Sequence, residues 1–165
     1  MASSFSKVPH VSRETTIGQT DALIVVYGPL SCASGPVSAS TVLQSLFDRS
    51  MWFFSARSRY LVPNTPLLFY ETRRGITAIG RVGTVENVGQ GDTAFLNSWG
   101  ISNYKIKISL KKTRVLPAVI SMLPIIDQLD FIRNKRYWAS YLQRSPVRIT
   151  QHDYDLIVSR SNDGD

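Results

Sequence analysis

Asp21 to Tyr27, DALIVVY, is a short apolar run rich in β-branched residues that stops at Gly28-Pro29, so it predicts a buried strand closed by a turn. The stretch GPLSCASGPVSAS that follows predicts a loop. From about Ser40 the period changes. Val42, Leu43, Leu46 and Phe47 fall on one face at helical spacing, with Ser38 or Ser40 available as N-cap, so a helix runs towards Ser50. Trp52, Phe53 and Phe54 follow it directly.

Leu67 to Thr72 (LLFYET) and Ile76 to Val88 (ITAIGRVGTVENV) flank an Arg73-Arg74-Gly75 turn and form the strongest hairpin signal in the chain. Gly80 and Gly83 inside the second run predict a bulge or bend, the device by which a small sheet curls. Tyr104 to Leu110 alternates strictly. Tyr104, Ile106, Ile108 and Leu110 make a dry face, and Lys105, Lys107 and Ser109 a basic one. Pro117 and Pro124 bracket a short apolar segment, and LDFI from Leu129 reads as a further strand or a buried turn. The last element is a helix. Thr150 with Asp153 three residues on resembles a capping box, Ile149 can staple onto Tyr154, and Ile157 continues the apolar face. Three strand signals between Leu67 and Leu110 with no helix signal among them argue against a doubly wound sheet. They favour α+β, a small mixed sheet curling into a barrel with flanking helices.

At 165 residues, with 43% hydrophobic and 19% charged positions, the chain has material for one core rather than two, and bulk disorder is excluded. One domain is expected over residues 21–160. The polar residues 1–20 and the closing residues 161–165 are expected to be loose tails. The start, MASSFSKVPHVSRETT, lacks the apolar core of a signal peptide, and a single cysteine, Cys32, excludes an internal disulfide; a cytoplasmic protein is expected.

The +7 net charge is unevenly placed. Lys105 to Arg148 holds ten basic and two acidic residues, a balance of +8, against nine basic and ten acidic elsewhere. Such concentration favours a polyanionic partner.

Catalytic signatures are missing. The sequence has no phosphate-cradling glycine loop, nucleophile elbow or HExxH, and its two histidines, His10 and His152, are far apart, so neither a metal nor a cofactor is expected. Trp52, Phe53 and Phe54, followed by Arg57, Arg59 and Tyr60, interleave rings with guanidinium groups, the mixture that stacks bases and neutralises phosphates. At least two of the three adjacent aromatics belong in a core, which leaves Trp52 as the stacking candidate. Glu71, beside Tyr70 at the end of an apolar strand, can accept hydrogen bonds from a base or from Arg73 or Arg74; an ordinary strand-end charge is the plain alternative. In FIRNKRYW, Arg133, Asn134, Lys135 and Arg136 crowd towards Trp138 and read as a phosphate grip or a solvated basic turn, and Lys111, Lys112 and Arg114 read the same two ways.

Four stretches together resemble the PUA-like superfamily, in particular its ASCH and EVE branches: LFDRSMWFFSARSRYLVP, TPLLFYETRRGITAIGRVGTVE, FIRNKRYW and SPVRITQHDYDLIV. The resemblance implies a five- or six-stranded curled barrel with flanking helices and a cleft that binds RNA or DNA, often at a modified or flipped base. Some ASCH proteins are amidohydrolases acting on acylated cytidine through a Lys, a Thr and a Glu. Glu71 could match that Glu, yet SLFDRSMW supplies neither the Lys nor the Thr. Pro63-Asn64-Thr65-Pro66 also replaces the family's Gly-Asp turn. The expected function is therefore a non-catalytic nucleic-acid-binding module, whose cleft near Trp52, Tyr70 and Glu71 takes a base. An amidohydrolase acting on acylated nucleosides, and a regulatory subunit docking an acidic protein, are the alternatives.

Overall fold

The structure is a computed structural model that describes residues 21–162. The expected N-terminal tail and residues 163–165 lie outside the described residues. Six strands form one sheet in the order β4-β7-β6-β5-β1-β8: β1 (Ala22–Tyr27), β4 (Met51–Phe54), β5 (Pro66–Glu71), β6 (Gly75–Asn87), β7 (Ile106–Ile120) and β8 (Val147–Ile149). Only the β1 and β5 pair is parallel. A separate two-stranded ribbon joins β2 (Leu30–Cys32) to β3 (Gly35–Val37), so the segment read as a loop is a small hairpin. It turns at Ala33-Ser34, and Gly35 opens β3 with a φ of 118° that suits a residue without a side chain.

Helix α1 (Ala39–Asp48) begins where expected, with Ser38 accepting from the Thr41 N–H at 3.2 Å. A second helix, α2 (Gln90–Ser98), lies between β6 and β7, where none was expected. Its sequence, QGDTAFLNS, holds few apolar residues and a glycine, so periodicity could not reveal it. The β7 strand runs ten residues beyond Leu110, through Pro117, in a stretch whose register against β6 is irregular. Register breaks in β6 span Gly80 and Gly83, at the positions where bending was expected.

The strands curl the sheet into a half-barrel with α helices at its flanks, an α+β fold. The curl is measurable. Tyr27 on β1 and Trp52 on β4 belong to strands far apart in sheet order, yet their ring centroids are 5.8 Å apart. The sheet therefore separates two cores. The inner one contains Leu23, Val25, Tyr27, Trp52, Phe69 and Val82 with α1; the other contains Ile24, Leu68, Tyr70, Ile76, Leu116 and Ile157. The second core is covered by α3 (Gln151–Ser159) and two 3₁₀ segments, Leu123–Gln128 and Lys135–Leu142. LDFI is a buried turn rather than a strand, with Leu129 and Ile132 fully enclosed.

The Thr150 cap is present, its hydroxyl accepting from the Asp153 N–H at 3.2 Å. The Asp153 carboxylate, however, does not reach back to close a capping box. It is fully buried and accepts from the Asp130 N–H at 2.8 Å and the Phe131 N–H at 3.0 Å. One carboxylate thereby ties the Leu129 turn to the start of α3, because a buried charge must have such donors.

Candidate nucleic-acid interface

Where β1 and β4 approach without pairing, a cavity of about 70 Å³ remains, walled by Tyr27, Trp52, Trp99 and Tyr104. A second hollow of about 180 Å³ shares Trp52 and Tyr104 and adds Ser55 and Ser145. Each wall has a local cause. Tyr27 ends the apolar β1 run, Trp52 packs edge-on against Phe47 and tilted on Phe69, and Trp99 is the C-cap of α2, tilted on Phe95 at 4.7 Å. Tyr104 precedes β7, where the Lys105 N–H donates to the Phe54 carbonyl oxygen at 2.9 Å and fixes the approach of that segment to β4. Burial raises the Tyr104 phenol pKa, so it stays neutral at physiological pH.

Polar groups reach the same gap. β8 pairs with β1 only at Ala22 to Ile24, and the Ser145 hydroxyl accepts from the Val26 N–H at 3.0 Å beyond that point. Next to the lining residues along the chain, Lys105 follows Tyr104, Arg144 precedes Ser145, and Arg57 lies two residues past Ser55; all three are exposed, and none lines either hollow. Aromatic walls and hydroxyls are components with which proteins hold a base by stacking and edge hydrogen bonds.

The expected residues do not all meet there. Trp52 is 5% exposed, so it is a core wall and not a free stacking platform. Phe53 and Phe54 are buried with it. Tyr70 points into the second core, because neighbouring strand residues face opposite ways and Phe69 faces the first, so Trp52, Tyr70 and Glu71 do not form one cleft. Glu71 lies on the far side of Tyr27: its carboxylate takes a hydrogen bond from the Tyr27 hydroxyl at 3.3 Å and pairs with Arg74 at 2.9 Å. Tyr27 also shares a 2.6 Å hydrogen bond with Thr77. Burial above all, with the negative charge of Glu71 adding to it, pushes the Tyr27 phenol up to about 12. Arg73 is exposed at the left-handed position of the β5 to β6 turn.

Lys107 is half-buried and already neutralised, 3.0 Å from Asp92 and 3.7 Å from Glu86. Its hydrogen bond to Asp92 raises its pKa. Burial disfavours the Asp92 charge, but the Gly89 N–H and Lys107 outweigh it and hold that carboxyl below the usual range. Arg59 stacks on Tyr60 at 4.9 Å, as does Arg148 at 4.7 Å. Arg133, Asn134 and Arg136 are exposed beside the second core, Trp138 packs partly against it, and Lys135 donates to the Leu129 carbonyl oxygen at 2.6 Å. The FIRNKRYW run and the aromatic cavity therefore belong to opposite sides of the sheet. Sequence reasoning missed Tyr27, Trp99, Tyr104, Arg144 and Ser145, since each reads as an ordinary strand, loop or turn residue.

This curled sheet with flanking helices is a PUA-like fold. In the solved structures it is similar to human THYN1 in complex with 5-methylcytosine-containing DNA, with a TM-score of 0.54 and 12% identity, covering 86% of this chain and 97% of that one. A Pseudomonas putida protein solved by structural genomics has a TM-score of 0.52 and 10% identity over 85% of this chain and 99% of its own. Among curated proteins, the UPF0310 protein in the gntR 5′ region of Bacillus licheniformis is 29% identical over 109 residues, which is 59% of this chain and 67% of that protein. No family model matches the chain. No helix among the described residues is long and apolar enough to cross a membrane.

Proposed function

We propose that this protein is a non-catalytic nucleic-acid-binding module that receives a modified or flipped base in the gap between β1 and β4. The observation that carries the reading is the cavity walled by Tyr27, Trp52, Trp99 and Tyr104, at the place where the curled sheet does not close. Trp99 and Tyr104 offer ring surface, the Ser55 and Ser145 hydroxyls edge contacts, and Arg57, Lys105 and Arg144 phosphate contacts. The complex of human THYN1 with 5-methylcytosine-containing DNA makes that base the first to try, in DNA and then in RNA. The lone Cys32, a free thiol, fits a reducing compartment such as the cytoplasm.

Glu71 favours no hydrolytic role. It is held by Arg74 and Tyr27, and among the described residues no lysine lines either hollow beside it. Binding of oligonucleotides with and without 5-methylcytosine, across a salt series, tests the proposal. Affinity should fall steeply with salt, and Tyr104→Ala should remove the preference for the modified base while leaving the salt slope intact. Absence of any base preference in the unaltered protein would sink the base-binding reading. Turnover of an acylated nucleoside that is lost in Glu71→Gln would replace it with the hydrolase.

A further inference from the structure

On the side of the sheet away from the cavity, three cations gather because of one irregular residue. Up to Leu110, the residues Ile106, Ile108 and Leu110 of β7 enter the first core, so Lys111 points the other way. Lys112 then adopts a φ of 50°, in the left-handed region, and the alternation resumes out of phase. Leu116 enters the second core, so Arg114, two residues before it, also faces away from the cavity. In an unbroken strand Lys111 and Arg114 would lie on opposite faces. Here they share one, and Arg81 of β6 stands directly opposite Lys111 in the ladder.

The cluster is preset and unmatched. Arg81 donates to the Asn64 carbonyl oxygen at 2.9 Å, which fixes its direction. Burial raises the pKa of the Tyr154 phenol, Arg81 and Arg114 act against that rise and Asp155 adds to it, so both guanidinium groups lie near one ring of α3, with the Asp155 carboxylate near the same ring but in no ion pair with either. Among the described residues, Arg81, Lys111, Lys112 and Arg114 take part in none of the ion pairs. Like charges directly opposite across a ladder destabilise a sheet, and a left-handed non-glycine residue adds strain; such features are kept where something other than folding uses them.

We propose that Arg81, Lys111 and Arg114 form a second nucleic-acid contact, a sequence-independent grip on the sugar-phosphate backbone, on the opposite face of the sheet from the base cavity. The proposal rests on the nucleic-acid reading of this chain but not on the cavity. Three convergent cations that form no ion pair among the described residues complement a line of phosphates, and a phenol beside them can donate to a phosphate oxygen.

The test is fluorescence anisotropy of a short unmodified DNA duplex over a salt series. Replacing Arg81, Lys111 and Arg114 together by Gln should lower the slope of log affinity against log salt by about 0.9 for each phosphate contact removed. The charge-preserving set R81K, K111R and R114K should keep the slope. A pair that spares the Asn64 contact, K111Q with R114Q, should reproduce most of the fall in slope seen in the triple change and guards against misfolding. An unchanged slope in the Gln variants overturns the proposal, as does a slope that falls equally in the charge-preserving set, and so does competition by an acidic polypeptide but not by duplex. The preference for 5-methylcytosine, read in the same variants, separates the two readings: a fallen slope with no base preference in any protein supports this grip and defeats the cavity, and a surviving preference with an unchanged slope does the reverse.

Discussion

On the cavity side of the sheet, Trp52 contacts Tyr27, Phe47 and Phe69, and Phe95 continues the aromatic packing to Trp99. On the other side the core is largely aliphatic, built from Ile24, Leu68, Ile76, Ile125 and Ile157, and its cover of short 3₁₀ segments is tied down by the Asp153 carboxylate. The hollow lies on the aromatic side, where the curl brings β1 and β4 together without pairing them. Arg81, Lys111 and Arg114 stand on the aliphatic side. The comparison separates the two sites proposed above, one for a base and one for phosphates, which the sequence reading had merged into one cleft.

The strongest blow to the cavity side is Trp52→Ala, which empties a nearly sealed site and should cost about 3–5 kcal/mol in denaturant unfolding, against much less for Trp52→Phe. The matching change on the other side is Asp153→Ala. It strands the Asp130 and Phe131 N–H groups at about 1–3 kcal/mol for each donor left unsatisfied, and amide hydrogen exchange should quicken in the Leu129 turn before it does in β4. If both regions loosen together, the two cores are not separable.

Tyr104→Ala should cost about 1–3 kcal/mol of base-dependent affinity, the range for a lost stacking partner, measured below the unfolding transition of the variant. Asp92→Asn weakens the closure of the α2 start on Gly89 and the pair with Lys107, for about 1 kcal/mol of stability. Because the Asp92 pKa is lowered in the fold, its contribution is present above the ordinary carboxylate range and is lost as pH falls through the lowered value; the variant should not show that loss. The smallest effect is spectroscopic. With Tyr27 raised from 10.0 to about 12, its stabilising contribution is full below the ordinary tyrosine value and disappears as pH climbs through that window. Glu71→Gln should bring the tyrosinate transition to lower pH, and an unmoved transition would place Glu71 away from the phenol.

Much of the frame was legible from the chain. DALIVVY, the α1 face with its Ser38 cap, the hairpin around Arg73 and the α3 start are local signals, set by side-chain period and turn chemistry over a few residues. The α2 helix was not, because its face holds only Phe95 and Leu96, and its formation depends on a Gly89 and Asp92 closure and on packing against Phe53. The site was less legible still. Tyr27 and Trp52 lie 25 residues apart in sequence and on strands remote in sheet order, and only the curl joins them.

The sequence alone determined the α+β class, the bends at Gly80 and Gly83, and the concentration of positive charge after Lys105, because period, backbone freedom and charge are properties of short segments. The tertiary structure decided which residues share a face. The shift at Lys112, the burial of Tyr70 in the second core and the neutralisation of Lys107 by Asp92 each depend on a partner strand or helix, and no local signal specifies a register between segments so far apart along the chain.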